Sequence, residues 1–169
     1  MLIFLLGMMG SGKSTLGKQL AQQLGYTFVD LDDYIEQREQ RTIAAIFEEQ
    51  GETHFRELER AALQAVVQEY RQAVIATGGG TPCFFDNINY MNQHGETIFL
   101  AVPTREIARR LISTNLKIRP LLASKSSEEI NLFLAKTLAH RIQFYEQAKY
   151  KMESSAISVD QLAQLLNHK

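Results

Sequence analysis

Gly7-Met8-Met9-Gly10-Ser11-Gly12-Lys13-Ser14 fits the pattern G-x-x-x-x-G-K-[ST], and its two flanks decide the fold. Upstream, Leu2 to Leu6 is an apolar run that predicts a buried first strand. Downstream, a helical pattern runs from Lys13 to about Leu24. The glycines permit positive φ, so successive backbone N–H groups can point inward at phosphate oxygens. The helix start adds the positive end of its dipole. Lys13 supplies a mobile cation for β- and γ-phosphates, and the Ser14 hydroxyl can ligate Mg²⁺. A chance match in a chain of this length is on the order of one per cent, so an ordinary glycine-rich turn is the weaker reading.

Beyond this unit, short apolar runs alternate with helical patterns. Thr27 to Leu31 reads as a second strand ending in carboxylates, with a helix around Tyr34 to Arg38. Phe55, Leu58, Ala62, Leu63, Val66 and Tyr70 recur at helical spacing. Ala73 to Thr77 predicts a third strand, stopped by Gly78-Gly79-Gly80, and Thr97 to Val102 a fourth, with a basic helix from about Thr104. Leu116 to Lys125 has no clean period and contains Pro120, so it reads as a loop. Ser126 and Glu129 form a capping box that opens a helix to about Tyr150. Ala156 to Val159 predicts a short fifth strand, and Asp160 the cap of a last helix. The alternation is that of an α/β domain with a parallel sheet, and 169 residues suit one domain spanning 1–169.

Composition excludes some partners. The chain is 45% hydrophobic and 22% charged, with a formal net charge of −1, which leaves no global footprint for nucleic acid or an anionic membrane. Positive charge gathers locally in Arg105, Arg109, Arg110, Lys117 and Arg119, where a solvated helix face is the plain alternative. No run approaches the ~18 apolar residues of a membrane span, and Met1 to Leu6 lacks the basic flank of a signal segment. The single cysteine, Cys83, excludes an internal disulfide and suits a reducing cytoplasm.

Phosphate binding alone does not name a reaction, so the other side of the site matters. Asp30 and Asp32 are two apart, so in a strand they share a face at the carboxyl edge of the sheet. One could hold Mg²⁺ while the other accepts a substrate hydroxyl; the alternative is that these acids, or Asp33, cap the next helix. Gly78, Gly79 and Gly80 suggest close approach of backbone to a ligand. Arg56 and Arg60 lie one helical turn apart, either as a binding face or as surface partners of Glu57 and Glu59. Arg141 sits in the otherwise core-facing stripe Leu134, Leu138, Tyr145, and needs an anionic partner, internal or bound.

The ordered set resembles the shikimate kinases. The motifs are Gly7-Met-Met-Gly-Ser-Gly-Lys-Ser-Thr15, Asp30-Leu-Asp32, Arg41-Thr-Ile-Ala-Ala-Ile-Phe-Glu-Glu-Gln-Gly-Glu52, Phe55-Arg56-Glu-Leu-Glu59, Ile75-Ala-Thr-Gly-Gly-Gly80, Arg119-Pro-Leu-Leu and Arg141 four residues before Tyr145. The resemblance implies a three-layer P-loop kinase fold, with a five-stranded parallel sheet flanked by helices and a mobile lid at about residues 112–125. It implies transfer of the γ-phosphate of ATP to the 3-hydroxyl of shikimate, a step of chorismate and aromatic amino acid biosynthesis, by a Mg²⁺-dependent cytoplasmic monomer. Gly10, Ser11, Gly12, Lys13, Ser14, Thr15 and Arg119 correspond to ATP-binding positions, and Arg110 flanks the adenine. Asp32, Arg56, Gly78, Gly79, Gly80 and Arg141 correspond to shikimate-binding positions, with the two arginines on its carboxylate. Ser14 and Asp30 correspond to the Mg²⁺ positions, and Lys13, Asp32 and the lid arginine Arg119 to the catalytic ones.

Two other classes of P-loop protein compete. A gluconate kinase also needs a carboxylate clamp, whereas a nucleoside monophosphate kinase wants a base-stacking pocket that this sequence does not advertise. A guanine-nucleotide switch should carry Asn-Lys-x-Asp and Asp-x-x-Gly, and neither string occurs.

Overall fold

Leu2–Leu6 (β1) is apolar and buried at all five positions, as befits a central parallel strand covered on both faces. The computed structural model, which describes residues 1–114 and 125–167, places β1 between Ala73–Ala76 (β3) and Glu96–Ala101 (β4). Thr27–Asp30 (β2) and Tyr150–Glu153 (β5) complete a parallel sheet of order β2-β3-β1-β4-β5.

The pleat sends alternate β1 residues into two cores. Ile3 and Leu5 pack with Leu20 of Lys13–Leu24 (α1) and with Leu162 and Leu166 of Val159–Asn167 (α7). Leu2, Phe4 and Leu6 face the other way, toward Leu63 and Val66 of Ile43–Glu69 (α3) and Leu134 and Tyr145 of Ser127–Tyr145 (α6). The same layer holds Ile35 of Leu31–Glu39 (α2), Met91 of Asn87–His94 (α4) and Ile107 of Thr104–Ser113 (α5). The three layers thus follow from five consecutive apolar residues. Gly17 lets α1 approach β2 closely, since a Cβ there would stand 2.6 Å from Phe28 Cε2. Gly51, at φ 82, breaks α3 into two helical pieces.

Several expected boundaries move. The fifth strand is Tyr150–Glu153, not Ala156 to Val159, and α6 stops at Tyr145 rather than Tyr150. Tyr150 and Met152 point into the α1–α7 core while Lys151 and Glu153 are exposed, so the alternation belongs to an edge strand. Ser158, not Asp160, caps the last helix: Gln161 N–H donates to Ser158 Oγ (3.3 Å), and Gln161 Oε1 accepts from Ser158 N–H (2.9 Å). The second strand ends at Asp30, and Leu31 already belongs to α2. The short turn Thr81–Cys83 and α4 have no counterpart in the sequence reading. The expected lid opens on the last turn of α5, which runs to Ser113; Arg119 and Lys117, with the rest of 115–124, lie outside the described residues.

Candidate active site

The turn after β1 is held open by backbone geometry. Gly7, Gly10 and Gly12 have φ of 146, 74 and 96, and a Cβ on Gly7 would lie 2.9 Å from Leu100 O. Ser11 Oγ donates to Met8 O (2.7 Å), closing the loop from inside. Lys13 Nζ donates to Gly7 O (2.6 Å) and Met8 O (2.8 Å), so the ammonium is folded over the turn. No side chain caps α1, and its first backbone bond runs from Leu16 N–H to Gly12 O (2.8 Å). The N–H groups ahead of that bond are those an anion satisfies. They open on a cleft of about 850 Å³ that also receives Ser14, Thr15, Asp30, Asp32, Gly78 and Gly79.

The sequence placed Asp30 and Asp32 on one strand face. They instead straddle a junction. Asp30 closes β2 and is the N-cap of α2, its Oδ1 accepting from Asp32 N–H (3.0 Å) and Asp33 N–H (3.3 Å). Capping therefore falls to Asp30, not Asp33, and this frees Oδ2 to accept from Ser14 Oγ (2.7 Å). Two hard oxygen groups at the phosphate cradle suit Mg²⁺, which takes one or two protein ligands and completes its octahedron with water and phosphate.

Asp32 stands in the first turn of α2, facing the cleft. Its carboxyl is pushed up to about 6, chiefly by burial, then by the nearby Asp30 and Glu59 carboxylates, with Lys13 opposing. Folding therefore holds the Asp32 proton more tightly than the unfolded chain, whose value is near 3.8. The stabilising contribution is complete below that value and is lost as pH rises through about 6. In metal-free protein, Asp32→Asn is expected to melt a few degrees above the parent at pH 7.5, with the gap closing toward pH 4. Paired melting curves across that range check this; a gap that widens on acidification would refute the raised value.

Gly78 to Gly80 form a joint packed by charged side chains. A Cβ on Gly78 would meet Asp32 Oδ1 and Glu59 Oε2 at 3.1 Å each; on Gly79, Arg141 Nη1 at 2.6 Å; on Gly80, Arg56 Nη2 at 2.6 Å. Both guanidinium groups thus crowd consecutive glycines, and Gly79 also stands close to the P-loop, where a Cβ would lie 3.7 Å from Gly7 O. Arg56 is 8% exposed, and Nη1 donates to Glu59 Oε1 (3.0 Å), itself 1% exposed. Glu59 also accepts from Thr81 Oγ1 (2.8 Å). Arg56 Nε is buried without a hydrogen-bond partner among the described residues. Arg141 lies beside the Tyr145 hydroxyl, which donates to Gly79 O (2.6 Å) and whose pKa burial raises to about 12. Among the described residues no carboxylate forms an ion pair with Arg141. Two neighbouring guanidinium groups of this kind suit a bound anion.

The nucleotide end is framed by α5. Arg110 Nη1 donates to Gly10 O (3.2 Å) and Nη2 to Ser155 O (2.8 Å), while Nε meets Glu106 (3.1 Å). The arginine therefore bridges the P-loop and the segment after β5.

Among the positions expected from the sequence, Gly10, Ser11, Gly12, Lys13, Ser14, Thr15, Asp30, Asp32, Gly78 and Gly79 line one cleft; Arg141 adjoins Gly79, and Arg56 adjoins the next residue, Gly80. Arg119 is outside the described residues. Glu59, Thr81 and Phe84 were missed. Glu59 was weighed as a surface ion-pair partner, yet it falls three residues after Arg56 on the face that carries Phe55, Ala62 and Leu63, and that phase was the available signal.

A family model described as shikimate kinase matches residues 9–168. A shikimate kinase of Phocaeicola vulgatus is 46% identical over a 173-residue alignment covering 98% of each chain. A crystal structure of the Bacteroides thetaiotaomicron shikimate kinase superposes with a TM-score of 0.93 at 42% identity, covering 98% of both chains. The Acinetobacter baumannii shikimate kinase in complex with shikimate gives a TM-score of 0.83 at 36% identity, covering 98% of this chain and 90% of that one.

Proposed function

The chain belongs to the shikimate kinase family, and on that premise we propose how its residues transfer the γ-phosphate of ATP to the 3-hydroxyl of shikimate. The observation that carries the assignment of roles is the glycine joint, where a carboxylate at Gly78 and two guanidinium groups at Gly79 and Gly80 border the phosphate cradle.

Arg56 and Arg141 hold the shikimate carboxylate by charge-assisted bonds. Asp32 accepts a hydrogen bond from the 3-hydroxyl and aims it at the γ-phosphorus. The uncapped start of α1 and Lys13 hold the β- and γ-phosphates, and Arg110 borders the adenine. Ser14 and Asp30 hold Mg²⁺, which when bound neutralises phosphate charge. To Arg119, outside the described residues, falls the charge that spreads over the γ-phosphate oxygens. The protein's share is positioning and charge neutralisation, with water kept from the transferring group. The working form is a cytoplasmic monomer, which a single cysteine suits. Among the described residues no helix is long and apolar enough to cross a membrane.

A coupled ADP-release assay tests this. Turnover is expected with shikimate, none with gluconate or nucleoside monophosphates, and loss of activity with EDTA that Mg²⁺ restores. Preference for gluconate, or activity indifferent to chelation, would refute the respective assignment.

A further inference from the structure

We infer that Arg60 is a positioning residue for the shikimate carboxylate, acting through a left-handed corner that lays Phe84 on the face of the Arg56 guanidinium. The corner is Phe85 and Asp86, with φ of 51 and 62. Two consecutive residues other than glycine in this region, one of them bulky, persist only where the surroundings hold them. Arg60 does the holding: its Nη1 donates to Phe85 O and to Asn87 Oδ1 (3.4 Å), and its guanidinium lies 5.7 Å from the Phe85 ring centroid. Asn87, 1% exposed, ties the other side, with Nδ2 donating to Thr81 O (2.9 Å) and its backbone N–H to Phe84 O (2.9 Å).

The consequence is felt one helical turn back. Phe84, immediately before the corner, places its ring 4.2 Å from Arg56 Cζ. A guanidinium donates only in its plane, so a ring stacked on its face fixes the direction of every donor while competing for none. Among the described residues Glu59 bonds one end of that plane, the Phe55 ring stands farther off at 5.2 Å from Cζ, and the Glu52 contact, at 3.4 Å to an exposed side chain, adds little. Phe84, the nearer of the two rings, sets most of the rotation that remains. Relaxing the corner lets the ring leave, and Arg56 then meets its anion with an unfixed plane.

The inference rests on Arg56 and Arg141 binding the substrate carboxylate, and the test separates the two ideas. Shikimate and ADP affinities are measured by calorimetry for Arg60→Ala, Phe84→Leu, the double variant and Arg141→Leu, each beside a melting curve. Arg60→Ala and Phe84→Leu are each expected to weaken shikimate about 3- to 30-fold, on the scale of a desolvated cation–π contact, with ADP affinity within twofold. The double variant should be little worse than the weaker single, because both changes break one device. Arg60→Lys, which keeps a donor to Phe85 O, should retain most of the affinity, and if Arg60→Ala does not fold, Phe84→Leu carries the test, with unchanged shikimate affinity overturning the inference. A lowered melting temperature with unchanged shikimate affinity, or fully additive losses, would overturn the inference. If Arg141→Leu also leaves shikimate affinity unchanged, the carboxylate clamp itself has failed.

Discussion

Lys13→Ala is expected to lower kcat by ~10³-fold or more with the fold intact, the scale set by removing an oriented donor or cation from a transition state whose charge it meets. The ammonium now lies on Gly7 O and Met8 O, beside a cradle whose other donors include the backbone N–H groups at the start of α1. Those groups stay in place in the variant, because the loop is closed by Ser11 on Met8 and by three positive-φ glycines, none of which needs the lysine. ATP should therefore still bind, and the loss should appear in kcat more than in KM for ATP. Steady-state kinetics at saturating ATP, beside a melting curve, decide the matter. Turnover within tenfold of the parent would sink the catalytic assignment, and a collapsed melting transition would move Lys13 from chemistry to loop structure.

The sequence was most informative where one residue type has one physical use. The P-loop, the glycine joint and the apolar β1 each constrain backbone geometry directly, so their places could be read before any contact was known. Asp30 was legible as a site residue but not as a cap. Whether a carboxylate at a strand end points along the sheet or folds onto the next helix depends on where the helix begins, and Leu31, expected to close the strand, opens the helix instead. Glu59 and Phe84 stayed hidden because their roles are made by partners distant in sequence: Thr81 lies 22 positions from Glu59, and the Phe84 ring reaches back to Arg56. The fifth strand was misplaced because an edge strand of four residues with exposed Lys151 and Glu153 carries little pattern of its own. It is recruited by pairing with β4, through Ile98 opposite Tyr150 and Leu100 opposite Met152.

Arg141→Leu should weaken shikimate by ~30-fold to several thousand-fold, corresponding to the ~2–5 kcal/mol that follows removal of one partner of a desolvated charge pair. The two arginines of the proposed clamp are not equivalent as tests. Arg56 is bonded to Glu59, so Arg56→Leu strands a carboxylate that is 1% exposed and costs stability whatever it does to binding. Arg141 has no ion-paired carboxylate among the described residues, and its neighbours include Gly79, the hydroxyl of Tyr145 and the Cys83 thiol. That hydroxyl keeps its bond to Gly79 O when the guanidinium goes, so the glycine joint should hold its shape. Leucine also suits the apolar stripe of α6, where Leu134 and Leu138 already pack. The melting temperature should therefore be unchanged or slightly raised, while shikimate affinity falls and ADP affinity stays within twofold. An arginine serving an internal acid would give the opposite pair of results. A lowered melting temperature with normal shikimate binding would remove Arg141 from the site and leave the carboxylate without its second cation.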